Sequence, residues 1–186
     1  MKLYIKNMVC NRCKTAVKTI IESHNFQVKT IELGEIEIAE EISATQLETM
    51  NAELKQLGFE IIDNRKGRTI EKIKNLIIKM VHYPEDTINT NLSSYITSEI
   101  PNDYKYLSNL FSEVEGTTIE KYFITQKIER VKELLVYDEL SLSEISYRMG
   151  YSSSAYLSSQ FKKVTGLTPT FYKLLKEHKR INIDNL

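Results

Sequence analysis

The chain has 186 residues, 41% apolar and 27% charged, and its 25 basic and 25 acidic side chains cancel. These values are close to globular averages, which excludes a fibrous repeat and a disordered polar chain, and the length suits one medium domain or two small ones. Apolar runs are short: Leu76-Ile77-Ile78 is cut at once by Lys79, far below the roughly 18 residues of a membrane span. Lys2 and Lys6 interrupt the opening segment, so no secretory signal is expected there and the expected location is cytoplasmic.

The charges are unevenly placed. Residues 1–63 carry 7 basic and 10 acidic groups, net −3, and residues 64–186 carry 18 and 15, net +3. Between them, Asn64-Arg65-Lys66-Gly67-Arg68 is a polar stretch with a glycine, which reads as a linker over 64–69. Before it, Leu3/Ile5 alternate, Ala16, Val17, Ile20 and Ile21 follow a helical period, and Phe26/Val28, Ile31/Leu33 and Ile36/Ile38 alternate again. A second helical series, Leu47, Met50, Leu54 and Leu57, precedes Phe59-Glu60-Ile61-Ile62. The order is strand, helix, strand, strand, helix, strand. That βαββαβ order defines a ferredoxin-like sandwich over 1–63, with Gly34 at a hairpin and Gly58 ending the second helix. The slip of phase between Val28 and Ile31 predicts a bulge.

Beyond the linker, 70–186 is helical in pattern, so the predicted fold class is α+β, an N-terminal βαββαβ domain followed by an all-α one. Ile70, Ile73, Ile77 and Val81 form one apolar stripe. Ile128, Val131, Leu134 and Leu135 form another, on a helix expected to bridge two parts of this half. Those parts are related by duplication. At an offset of 50 residues, Tyr106, Leu107, Ser108, Phe111, Val114, Gly116, Thr118 and Tyr122 match Tyr156, Leu157, Ser158, Phe161, Val164, Gly166, Thr168 and Tyr172, eight identities in seventeen ungapped positions. Each copy follows a short helical segment, around 92–98 and 142–149, and a turn, giving two helix-turn-helix units at about 92–114 and 142–164. Ser141 and Glu144 form a capping box, Asp103 and Ser153 are placed to cap the second helix of each unit, and Thr168-Pro169 starts another.

Helical geometry assigns Leu107, Phe111 and Val114 to the core, with Leu157, Phe161 and Val164 in the second copy. The opposite stripes, Lys105, Ser108, Asn109 and Ser112, then Ala155, Ser158, Ser159 and Lys162, are small, polar or basic. Such side chains let a helix enter a groove about 12 Å wide and reach base edges. A basic cluster of Arg148, Lys162, Lys163, Lys173, Lys176, Lys179 and Arg180 against Glu177 alone surrounds the second copy and suits a polyanion. Residues 70–175, above all LSEISYRMGYSSSAYLSSQFKKVTGLTPTFYK, resemble the DNA-binding domain of the AraC/XylS family of bacterial transcription regulators. The resemblance implies double-stranded DNA as the partner and two reading helices set in successive major-groove segments. It makes Lys105, Ser108 and Asn109 the base-reading candidates of the first unit, and Ser154, Ala155, Ser158 and Ser159 those of the second. Lys162 and Lys163 are phosphate contacts by charge. Two departures stand out: Ile100-Pro101 occupies the first turn where the family favours glycine, and Asn109 and Ser159 stand where many members carry arginine.

The two cysteines, Cys10 and Cys13, are the whole complement. They sit in NMVCNRC, between the first strand and first helix. Free N–H groups at a helix start, with Arg12 and Lys14 nearby, are expected to ease ionisation of both thiols. Two soft thiolates suit two-coordinate Cu(I) or a similar soft ion, whereas zinc calls for about four ligands. Sequence and topology over 1–63 resemble the heavy-metal-associated domain of copper chaperones and metal-pumping ATPases, with Met8, Cys10 and Cys13 on its M-x-C-x-x-C motif and Gly58-Phe59 on its closing pair. Asn7 replaces the usual glycine. A thiol redox pair, a protein-binding domain with no ligand role for the cysteines, and a metal carrier docking on a protein remain as alternatives. Met8 reads as core, and His24, His82 and His178 as structural or surface residues. No phosphate loop, nucleophile elbow, zinc-protease or dinucleotide signature occurs, so no enzymatic activity is expected. The expected protein is a metal-responsive transcription regulator, with homodimerisation, if any, through the N-terminal domain.

Overall fold

A computed structural model describes residues 1–62, 65–83 and 91–175, and the chain divides into two units, Met1–Asn75 and Leu76–Leu186. Asn64 of the expected linker, and Lys176, Lys179 and Arg180 of the basic cluster, lie outside the described residues.

The first unit contains β1 (Lys2–Lys6), α1 (Asn11–Ser23), β2 (Val28–Glu32), β3 (Glu35–Ile38), α2 (Ala44–Gln56), β4 (Glu60–Ile61) and the first part of α3 (Arg65–His82). The strands form a sheet in the order β2-β3-β1-β4, with every neighbouring pair antiparallel. Alternation aims Leu3 and Ile5 of β1, with Ile36 and Ile38 of β3, into a core completed by Val17 and Ile21 of α1 and Met50 and Leu54 of α2, all buried. The register shift between Val28 and Thr30 is the bulge that the phase slip predicts. Gly34 turns β2 into β3 at φ +77°, where an added Cβ would collide with the buried Asn75 side chain. Ser43 and Gln46 cap the start of α2 reciprocally.

The expected linker needs correction. Residues 65–69 are not a linker but the first turns of α3, and the division falls at Asn75/Leu76. The polar stretch leads into the buried stripe of Ile70, Ile73, Ile77 and Val81. That stripe outweighs the roughly 1 kcal/mol helix penalty of the single Gly67. Leu57, the last of its helical series, is 56% exposed, because it caps the end of α2 after the buried pair Met50 and Leu54.

The second unit contains the remainder of α3, then α4 (Leu92–Glu99), α5 (Tyr104–Glu115), α6 (Ile119–Tyr137), α7 (Leu142–Arg148), α8 (Ser154–Thr165) and α9 (Pro169–Leu174). The duplication is structural: α4 and α5 correspond to α7 and α8, and the start of α6 to α9. Both copies close their second helix on a left-handed glycine, Gly116 at φ +66° and Gly166 at φ +79°. Helix α6 packs on α5, α7, α8 and α9. It buries Ile128, Val131, Leu134 and Leu135 as its periodicity predicts, together with the polar Gln126, Lys127, Glu129 and Lys132. Gln126 shares a 2.9 Å hydrogen bond with His82 and donates to the Tyr122 hydroxyl at 3.1 Å, and Lys132 pairs with Glu129 at 2.5 Å. Burial of these groups is tolerated because each has a partner. His82 is therefore a core residue.

Val114 and Val164 are not core. They are 50% and 42% exposed, since the buried face of α5 is Leu107, Leu110 and Phe111, that of α8 is Leu157 and Phe161, and the last turn of each helix adds nothing to it. Among the described residues no helix is long and apolar enough to cross a membrane.

Candidate nucleic-acid interface and the cysteine pair

The second helix of each unit, α5 and α8, is started by a side chain. Asp103 accepts hydrogen bonds from the Lys105 and Tyr106 amides at 2.8 and 3.3 Å, and Ser153 from the Tyr156 amide at 3.1 Å. The preceding turns differ. Gly150 takes φ +63°, whereas Ile100 is extended at φ −123° and ψ 110°. Proline at 101 and a β-branched residue at 100 thus replace the left-handed turn by an extended one.

Every predicted base-reading residue lies at the surface. Lys105, Asn109, Ala155 and Ser159 are exposed on the faces opposite Leu107/Phe111 and Leu157/Phe161, and Ser108, Ser154 and Ser158 are half-buried at the margins of the buried faces. The Ser158 hydroxyl donates to the Ser154 carbonyl at 2.8 Å, which leaves its oxygen as an acceptor toward the outside. Tyr104, in the repeat position of Ser154, donates to Glu120 at 2.6 Å. Burial and this bond push the Tyr104 phenol upward, and the same bond holds the Glu120 carboxyl below its usual range.

Charge separates the two helices. Lys162 and Lys163 are exposed near the end of α8, while the matching positions of α5 are Ser112 and Glu113. Lys173 is paired with Asp138 across α9 and the end of α6, so part of its charge is spent within the protein.

A support behind α8 escaped the sequence reading. The Lys127 ammonium lies 3.8 Å from the centroid of the Tyr151 ring and 5.4 Å from that of Phe123. Tyr151 in turn meets Tyr156 of α8 edge-to-face at 5.9 Å. Burial pulls the Lys127 amine down to about 8 and pushes the Tyr151 phenol up. Only the lysine's place on the inner side of α6, visible in the helical period around Ile128 and Val131, could have drawn attention to it.

In the first unit, Asn7 takes φ +66° and its side chain donates to the Gly58 carbonyl at 2.9 Å. Asparagine tolerates the left-handed conformation better than other non-glycine residues, which accounts for its place ahead of the cysteine loop. Met8 is fully buried. Cys10 caps α1, its sulfur accepting the Cys13 amide at 3.4 Å, and the two Sγ atoms are 2.9 Å apart. Both cysteines are free, Cys13 buried and Cys10 half-buried. The expected easing of ionisation fails for Cys13: burial, then the contact with Cys10, raises its thiol, outweighing the backbone N–H groups at the helix start. Lys14 is turned to Glu32 at 3.1 Å. No group of three His, Cys, Asp or Glu side chains able to hold a metal exists among the described residues. Two thiols side by side are the donor number that a two-coordinate soft ion takes, whereas a closed zinc site takes about four.

Residues 103–174, from the cap of α5 through α9, match the family described as helix-turn-helix domain. Over 67 residues the chain is 39% identical to the xylose operon regulatory protein of Escherichia coli, covering 36% of this chain and 17% of that protein. Over 94 residues it is 32% identical to an uncharacterized HTH-type transcriptional regulator of Staphylococcus aureus, covering 50% of this chain and 12% of that protein. The matched segments thus span less than a fifth of these curated relatives. The fold is similar to that of the C-terminal domain of AraT, a response regulator from Geobacillus stearothermophilus, with a TM-score of 0.52 and 24% identity over 64% of this chain and 92% of that one. The C-terminal region is a helix-turn-helix domain.

Proposed function

We propose that this chain is a sequence-specific DNA-binding transcription regulator whose two helix-turn-helix units occupy successive major-groove segments on one face of the duplex. The observation that carries the reading is the repeated unit itself: α5 and α8 are capped, closed and packed alike, and each turns small or basic residues outward. Lys105, Ser108 and Asn109 read bases in the first segment and Ser154, Ala155, Ser158 and Ser159 in the second, with Lys162 and Lys163 on phosphates. Footprinting tests it: the chain protects two patches about 34 Å apart, one helical turn. Protection of a single patch, or binding that ignores salt, overturns it.

The N-terminal βαββαβ unit is the sensor in this reading, a ferredoxin-like domain of the heavy-metal-associated kind over residues 1–63. Cys10 and Cys13 would hold a soft cation such as Cu(I), which would supply a compact positive charge. The protein's part is to present both sulfurs together at the start of α1 and to keep Cys13 dry. Linkage requires that the ion bind the DNA-competent state with a different affinity from the free one, since equal affinities shift nothing. A second reading, a thiol redox sensor, is favoured by the 2.9 Å approach of the two sulfurs. Thiol titration after hydrogen peroxide, set beside Cu(I) titration under reducing conditions, separates the two.

A further inference from the structure

Five of the eight residue pairs shared by the two copies have a reason in the fold. Leu107/Leu157, Phe111/Phe161 and Tyr122/Tyr172 are buried, Gly116/Gly166 take left-handed φ, and Thr118/Thr168 cap α6 and α9. Ser108/Ser158 lie on the groove-facing stripe. Val114/Val164 are apolar and end their helices. Tyr106 and Tyr156 are not explained by burial, for each is 51% exposed, although Tyr156 also meets the Tyr151 ring edge-to-face. A large aromatic side chain kept at one exposed place in both units points to something both units touch.

Their direction is set by helical geometry. Tyr106 follows Lys105 by one residue, about 100° around the axis, and residue 113, seven further on, returns to nearly the same flank. In α8 the corresponding pair is Tyr156 and Lys163. One edge of each reading stripe therefore carries a phenol, and in α8 that edge also carries a lysine suited to phosphate. The Tyr106 hydroxyl has no hydrogen bond among the described residues. That of Tyr156 accepts one from Gln160 at 3.3 Å, which leaves its proton to donate outward. The Tyr156 ring is braced by Tyr151, itself beneath the Lys127 ammonium.

We propose that Tyr106 and Tyr156 are a matched pair of DNA-backbone contacts, one phenol on each reading helix donating a hydrogen bond to a phosphate oxygen. The proposal rests on the DNA-binding reading above. Tyrosine hydroxyls serve in this way in protein–DNA interfaces, fixing register without reading sequence. In α5 the flank offers Glu113 in place of Lys163, so the phenol is the phosphate donor on that edge, and its loss costs more there.

The test uses the full chain with Tyr106→Phe, Tyr156→Phe and the double variant. Affinity is measured by fluorescence anisotropy on a selected site and on a random duplex over a range of salt. The expected result is weaker binding to both duplexes by similar factors, about tenfold for Tyr106→Phe and about threefold for Tyr156→Phe, in line with the modest net worth of a single solvent-exposed hydrogen bond. The salt slope stays the same, because a neutral phenol releases no counterion. Gln160→Leu removes the intrahelical bond and keeps the phenol, so it binds as the unmodified chain does. Unchanged affinity in both Phe variants overturns the proposal and leaves the DNA-binding reading standing. Loss confined to the selected site makes the contact a base contact and also overturns it, as does a loss in Gln160→Leu equal to that in Tyr156→Phe. If the unmodified chain binds neither duplex, both the proposal and the reading beneath it fall.

Discussion

Replacing Lys127 by Met removes a buried ammonium whose opposing energies can be estimated. Its amine is pulled from the ordinary 10.5 to about 8 by burial alone. At 1.36 kcal/mol per pKa unit that is a cost of about 3 kcal/mol for keeping the charge in the folded state. The faces of Tyr151 and Phe123 return roughly 1–2 kcal/mol of it through cation–π attraction. Lys127→Met keeps the unbranched stem and puts a thioether against the same rings, so at pH 7 it is expected to stabilise the second unit by about 1–2 kcal/mol. The pH dependence carries the sign. Between about 8 and 10.5 the unfolded chain holds a proton on this lysine that the folded chain has lost, so stability of the unmodified protein rises with pH across that window. Below about 8 the cost is present in full. The gap between variant and parent therefore narrows from pH 8 upward. Urea unfolding followed by far-ultraviolet circular dichroism, fitted with separate transitions for the two units, measures it. A variant less stable than its parent at pH 7, or a gap independent of pH, would refute the reasoning and make the ammonium a net stabiliser.

Asn109→Ala is expected to cost roughly 1–3 kcal/mol on the selected site and to relax preference at one base pair, whereas Lys163→Ala weakens all sequences alike and lowers the salt slope by about 1; anisotropy on selected and random duplexes distinguishes them. Glu113→Lys, which gives α5 the charge that α8 has, should tighten binding to random DNA and steepen the slope by about 0.9, and no change would place that flank away from the backbone. One equivalent of Cu(I) should bind per chain under reducing conditions and be lost in Cys10→Ser and Cys13→Ser, with DNA affinity responding to copper only in the unmodified protein. Retention of tight binding in either Ser variant would exclude the two-thiolate site.

Local chemistry made much of this molecule legible. The caps at Asp103, Ser141, Ser153 and Thr168, the Gly34 and Gly58 turns and the bulge after Val28 are all where the residues place them, because each depends on a few neighbouring backbone groups and one side chain. The exposed faces of α5 and α8 are likewise visible, since helical period alone sets Asn109 and Ser159 opposite Leu107 and Leu157. Errors arose where a local signal met a longer-range one. Gly67 and its polar neighbours signal a linker, yet the apolar stripe that follows draws them into α3.

The amino-acid sequence by itself determined the order of elements, the duplication, the capped ends and the outward faces of α5 and α8, all consequences of spacing along one chain. Tertiary structure alone decided what depends on desolvation and on residues far apart in sequence. Val114 and Val164 carry the right period for a core and are exposed, because burial needs a partner surface as well as a face. The Cys13 thiol rises where a helix start predicts a fall, because losing water costs the thiolate more than the N–H groups return. The brace from Lys127 through Tyr151 to Tyr156 joins α6, the turn before α8, and α8 itself, and a cation–π contact between a helix and a distant turn has no periodic signature in sequence.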